Sequence, residues 1–204
     1  MTADEKADAP GSHELPSRQT SDAEIREYTI GELQPWNDRI ALRGYDPEWP
    51  TAFEREAVRL RGILGHRIAL LEHVGSTSVV GLPAKPIIDI VLALPDSSDE
   101  ASYVPDLSAS GYVLRIREPH WFEHRMFKGP DTDINLHVFS RGCPEVAQML
   151  LFRDWLRSHA QDRDLYARTK QELAERTWRF VQHYADAKTE TIGAILARAR
   201  AASP

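Results

Sequence analysis

Cysteine is nearly missing from this chain. Cys143 is the single one in 204 residues, which excludes an internal disulfide and a cluster of thiolate metal ligands. Long apolar runs are missing too; none approaches the roughly 20 residues that a membrane-spanning helix needs. Positive charge is in short supply. With 25 Lys and Arg against 31 Asp and Glu, the formal net charge is -6, so a broad nucleic-acid footprint, which requires a basic surface, is not expected. A local basic face remains open. The first stretch, MTADEKADAPGSHELPSRQT, lacks the basic start and apolar centre of a secretory signal. Together these absences read most simply as a cytoplasmic protein.

What is present has the balance of a globular chain, with 42% hydrophobic and 27% charged residues. The length suits one domain with appendages. Residues 1–20 are polar and carry Pro10, Gly11 and Pro16, so they predict a disordered tail, and 21–204 then form a single domain. The stretch from Asp22 to Trp49 mixes short apolar pieces with Pro35 and Pro47, as in a segment that wraps the domain ahead of its first helix. From Pro50 onward, Phe53, Ala57, Leu60 and Leu64 recur at helical spacing until Gly65.

"RIALLEHV" and "PIIDIVLAL" then read as strands, the second apolar enough to be covered on both faces. "SSDEASYVPDLSASG" reads as a helix perturbed by Pro105. Tyr112 to Arg117, Glu123 to Lys128 and "DINLHVF" follow as strands, with Ile134, Leu136 and Val138 on one face of the last. After Pro144 the pattern is helical: "PEVAQMLLFRDWLRSHA", then "DRDLYARTKQELAERTWRFVQHYADAK", then a last helix to about Ala201. The expected fold is α+β (α/β): a mixed β-sheet flanked by helices, with a helical C-terminal third.

Two features carry chemistry. The turn Gly75-Ser76-Thr77 follows directly on a strand, where backbone N–H groups and a hydroxyl can face an anion. It is not a P-loop, because five residues separate Gly75 from Gly81 and Leu82 stands where that motif needs lysine. Asp89 is the second feature, one acid inside the apolar run Ile87 to Leu94. A carboxylate there must be capped by backbone N–H groups, bind a cation, or open onto a site.

"YDPEWPTAFEREAVRLRGILG", "EHVGSTSVVGLPAKPIIDIVLAL", "HRMFKG", "NLHVF", "LLFRDWLR" and "LYARTKQELA", in this order, resemble the GrpB family of bacterial proteins. The resemblance implies a nucleotidyltransferase-like fold, with the Gly-Ser turn facing an acidic strand, and a related domain occurs fused to dephospho-CoA kinase. Val80 departs from it, standing where the family usually has proline. So does Val91. Members of the wider superfamily carry two acids two residues apart, on one face of the strand, and here Asp89 has no such partner.

Replacement ligands for a divalent cation, Mg2+ by preference, would come from the "DINLHVF" strand. Asn135 and His137 project from the face opposite Ile134 and Leu136, and could join Asp89. Glu72 and His73 flank the turn, and His120 and His124 lie four apart. For phosphate oxygens the candidates are Gly75, Ser76, Thr77, Lys85, Arg125 and Arg153, with Lys128, Arg157 and Lys170 behind them. Surface pairing with neighbouring acids is the plain alternative for the arginines. Trp121 and Trp155 are candidates to stack on a base, although such residues mostly fill cores. The expected catalytic set is Asp89, His137 and Lys85, acting on a nucleoside triphosphate or another phosphorylated small molecule. The competing reading is a non-catalytic module that binds a protein partner.

Overall fold

A computed structural model describes residues 19–202, so the expected tail lies almost wholly outside the described residues. Helix α1 (Asp22–Tyr28) falls in the stretch expected to be a mere wrap. A capping box starts it: Glu24 N–H donates to the Ser21 hydroxyl, and the Glu24 carboxylate accepts from Ser21 N–H at 2.8 Å. Ile25 is its one buried residue. An anchor of that size leaves almost no periodic signal to read.

Helix α2 (Glu48–Leu64) presents Phe53, Ala57, Leu60 and Leu64 to the core, as their spacing predicts. Five strands follow: β1 (Leu70–Val74), β2 (Ile88–Leu94), β3 (Val113–Glu118), β4 (His124–Lys128) and β5 (Ile134–Ser140). They form one mixed sheet in the order β1-β2-β5-β4-β3, with β2 and β5 parallel and every other pair antiparallel. The helix expected around Pro105 is shorter than the sequence suggests. After a 3-10 turn at Glu100–Ser102, α3 (Val104–Ala109) places Pro105 in its first turn, where no N–H is needed.

The two sheet faces differ. Ile88, Ile90 and Leu92 of β2 join Ile134, Leu136 and Val138 of β5 against α2 and α3, giving the largest core. On the other face, Asp89 pairs with Asn135, Val91 with His137 and Ala93 with Phe139. Helix α4 (Pro144–Ser158) covers part of that face, seating Val146 and Cys143 on Val91 and Phe139. The three remaining helices are α5 (Ala160–Ala174), α6 (Val181–Asp186) and α7 (Thr189–Ala202).

One helix expected between 162 and 188 is thus two. The break has a physical cause. Trp178 leaves the helix to pair with Asp38, its N–H donating to Asp38 O at 3.0 Å, while its indole N–H donates to Leu173 O at 2.8 Å. Around it Ile40, Leu173, Ala174 and Tyr184 form a separate apolar cluster.

Leu60 is fully buried in the main core. Leu60→Ala is expected to cost about 2–5 kcal/mol, read as a lower urea midpoint with an unchanged m-value.

Candidate functional site

The turn after β1 and the acid of β2 are built against each other. Val74 pairs with Asp89, which brings Asp89 under Gly75. A Cβ at position 75 would sit 2.3 Å from Asp89 Oδ2, and Gly75 has φ +67°. Both the space and the backbone therefore require glycine. A 3-10 turn, Ser76–Ser78, follows, and the Ser78 hydroxyl closes it by donating to Gly75 O at 2.6 Å. Helix α4 secures the turn from outside, as Arg157 donates twice to Ser78 O, at 2.9 and 3.0 Å.

Asp89 is not sealed in. Its side chain is 31% exposed and that of His137 is 23% exposed. Asn135 Nδ2 donates to Asp89 Oδ1 at 2.8 Å, and His137 Nε2 lies 3.9 Å from the same oxygen. Burial opposes ionisation of Asp89, while His137 in its protonated form, the Asn135 amide and the Lys85 charge favour it, and the carboxyl lies below the ordinary value. Behind His137 the contacts continue across the sheet. His137 Nδ1 is 3.1 Å from His124 Nε2, and His124 Nδ1 is 2.7 Å from Glu118 Oε2. Burial pushes His124 down to about 4, against the pull of Glu118. Glu145, in the first turn of α4, is pushed up to about 7 by burial, with His137 and Arg200 opposing.

Three lysines feel the charge of this acid. Lys85 precedes β2, Lys170 lies on α5 and Lys188 precedes α7. Lys85 and Lys188 hold their ammonium groups over the ring of Tyr184, at 5.9 and 4.6 Å, and Lys170 lies 5.4 Å above Tyr166. Burial lowers Lys85 and Lys188 to about 8 and Lys170 well below its usual range, and Asp89 acts on all three in the opposite sense. Lys170 also donates to Pro83 O. The Tyr184 hydroxyl is buried and has no hydrogen-bond partner among the described residues. Burial raises the Tyr166 phenol, which the Ser76 hydroxyl partly offsets. The helical layer thus closes over the turn and the acid with an excess of positive charge.

Several expected site residues lie elsewhere. Thr77 is buried; its hydroxyl donates to Ile87 O at 3.3 Å and bonds His73 Nε2 at 3.0 Å, so it holds the turn and faces no cleft. Arg125 pairs with Val138 on β5, which places it on the α2 and α3 face, opposite Asp89. There it is buried against Glu100 and Glu123. Arg153 binds Glu72 at 2.7 Å and Asp154 at 2.8 Å, and Lys128 binds Asp133 at 3.0 Å. His120 is exposed and forms no pair with His124. Trp155 stacks on His159 with its ring 3.3 Å away, and Trp121 meets His124 edge-on. A cavity of about 620 Å3 does open at the β1 edge, lined by Phe53, His73, Ser78, Arg153, Arg157 and Arg163 among others. None of Asp89, Asn135, His137 or the three lysines lines it, and Arg153 and Arg157 are already paired.

Where a second acid would stand two residues from Asp89, Val91 is fully buried under α4. Among the described residues no group of three or more His, Cys, Asp or Glu side chains could hold a metal ion. Glu118, Tyr166, Tyr184 and Lys188 escaped the sequence reading. Period-2 alternation along β4 does place His124, Met126 and Lys128 on one face, a signal that could have put His124 beside His137. Nothing local marks Lys188.

Residues 39–198 match the GrpB protein family. A UPF0157 protein of Halalkalibacterium halodurans is 61% identical over 181 residues, covering 89% of this chain and 93% of its own. A UPF0157 protein of Streptomyces coelicolor is 45% identical, covering 80% of this chain and 86% of its own. A dephospho-CoA kinase of Mycolicibacterium paratuberculosis is 28% identical over 82% of this chain but only 44% of its own length. The crystal structure of a GrpB protein from Enterococcus faecalis superposes with a TM-score of 0.69 at 29% identity, over 78% of this chain and 96% of that one. No helix among the described residues is long and apolar enough to cross a membrane.

Two outcomes follow from this geometry. Gly75→Ala forces either the turn or Asp89 to move, and is expected to lower stability by roughly 1–3 kcal/mol, measured by thermal unfolding. His73, also pushed to about 4 chiefly by burial, and His124 stay neutral in the folded protein below the pH at which the unfolded chain protonates, near 6.5. The unfolded state therefore binds more protons between pH 6.5 and 4. Stability is full above 6.5 and falls as pH drops through that window, by up to about 3 kcal/mol per histidine; denaturant melts across pH read it directly.

Proposed function

This chain belongs to the GrpB family, and we propose that the region around Asp89 and the Gly75 turn binds a nucleotide or another phosphorylated small molecule and transfers a nucleotidyl group to a small acceptor. The observation that carries this reading is the gathering of Lys85 and Lys188 over the one ring of Tyr184, with Lys170 over Tyr166 and Asp89 as counter-charge to all three. Like charges held close in partly buried surroundings repel, and a polyanion relieves that repulsion. Ser76, with the backbone of the Gly75 turn, supplies uncharged donors beside them. An acceptor oxygen would attack the α-phosphorus near Asp89 and His137, and the lysines would offset the charge on the departing pyrophosphate.

A second reading, a binding module without chemistry, is favoured by Val91 and by the match to less than half of a dephospho-CoA kinase. A stable protein partner recovered on the purified chain, together with no pyrophosphate release from any nucleotide, would select it.

The test is calorimetric. Titration with ATP, GTP, CTP and UTP is expected to show binding of at least one, and affinity should rise from mono- to di- to triphosphate. Binding should persist without Mg2+, because lysines supply the positive charge. Lys188→Ala should weaken it about tenfold or more, the scale of one charge-assisted hydrogen bond. No binding to any of the four would sink the proposal.

A further inference from the structure

The geometry points to His124 and Glu118 as positioning residues that hold His137 with its proton on Nδ1 and a bare Nε2 beside Asp89, so that His137 can take the proton of an acceptor hydroxyl. Its chemical purpose rests on the transfer reading above; the hydrogen-bond geometry stands without it.

The proton positions follow from the outside inward. The Glu118 carboxylate can only accept, so the 2.7 Å contact puts a hydrogen on His124 Nδ1. His124 is 3% exposed and stacks on Phe139, 4.7 Å away, with the edge of Trp121 against it and the His137 ring near its own plane. Such surroundings disfavour a second proton, which leaves His124 Nε2 as an acceptor. His137 Nδ1 must then donate across the 3.1 Å contact. A neutral imidazole carries one N–H, so His137 Nε2 is left with its lone pair.

The facing atom agrees. Asp89 Oδ1 is another acceptor, already served by Asn135. Nε2 lies beyond the usual hydrogen-bond distance of about 2.7–3.2 Å from it. They stand 3.9 Å apart. Two acceptors held at such a spacing suit a donor placed between them, and an alcohol is one. As the acceptor oxygen bonds the α-phosphorus, its proton passes to His137 Nε2. The bond from that phosphorus to the bridging oxygen breaks, and its electron pair leaves on pyrophosphate. The imidazolium so formed lies against the Asp89 carboxylate, which stabilises it.

Nitrogen-15 NMR of the full chain labelled at histidine reads the tautomer of His137 with no nucleotide present. The Nδ1–H form is expected in the wild type and in Glu118→Gln, whose amide oxygen still accepts. It should be lost in His124→Phe and in Glu118→Leu, the second being at a partly exposed strand position that keeps the fold. An Nε2–H form in the wild type, or an unchanged tautomer in both disruptive variants, overturns the inference. So does a shift of His137 Nε2 on adding Mg2+ or Zn2+ alone, which would make it a metal ligand. Because the readout needs no ligand, failure to bind nucleotide would defeat the transfer reading and leave this result standing.

Discussion

One close approach organises the molecule: the carboxylate of Asp89 occupies the space that a side chain at position 75 would fill. The β1–β2 register sets it, through Val74 opposite Asp89. Because the pair is so tight, the turn and the acid form one unit, and the Ser76 hydroxyl is carried with it toward Tyr166. A residue with a Cβ would separate them. The other parts of the site are arranged around that unit: Asn135 and His137 from the parallel neighbour β5, and lysines from the helices above.

Sheet and helices contribute different chemistry. The sheet supplies fixed hydrogen-bond geometry, since cross-strand partners on one face are held at a constant spacing. Glu118, His124 and His137 exploit this by lying on three adjacent strands. The helical layer supplies charge. Lys170 and Lys188 come from α5 and from the start of α7, and Tyr184 of α6 lies beneath two ammonium groups. Neither layer alone would bring the acid and the lysines together.

Much of this was legible in the sequence, for reasons that can be named. The alternation of "DINLHVF" assigned Asn135 and His137 to the face that Asp89 shares, because a two-residue period survives any tertiary context that keeps the strand. The apolar run around Asp89 identified a covered strand. The failures also have causes. Arg125 sits one residue from the strand positions on the Asp89 face, and a shift of one reverses the face. Thr77 looked like a ligand because a turn hydroxyl carries no mark of whether it points in or out. Lys188 and Tyr184 meet Lys85 only when α6 and α7 dock, and no local pattern encodes docking. The split between α5 and α6 was hidden for the same reason, since its cause, Asp38, is remote in the chain.

That remote contact bears on how the molecule assembles. The segment ahead of α2 joins distant parts: Thr20 N–H donates to Asp186 across 166 residues, Arg39 pairs with Glu175 across 136, and Arg43 bridges to Ala84 beside the acid strand. Closing chain loops of that length is entropically expensive and kinetically slow. The strap thereby ties the lysine-bearing helical layer to the sheet, and its contacts bear on how far one stands from the other. The spacing of lysines from acid is then set by contacts that lie far from both along the chain.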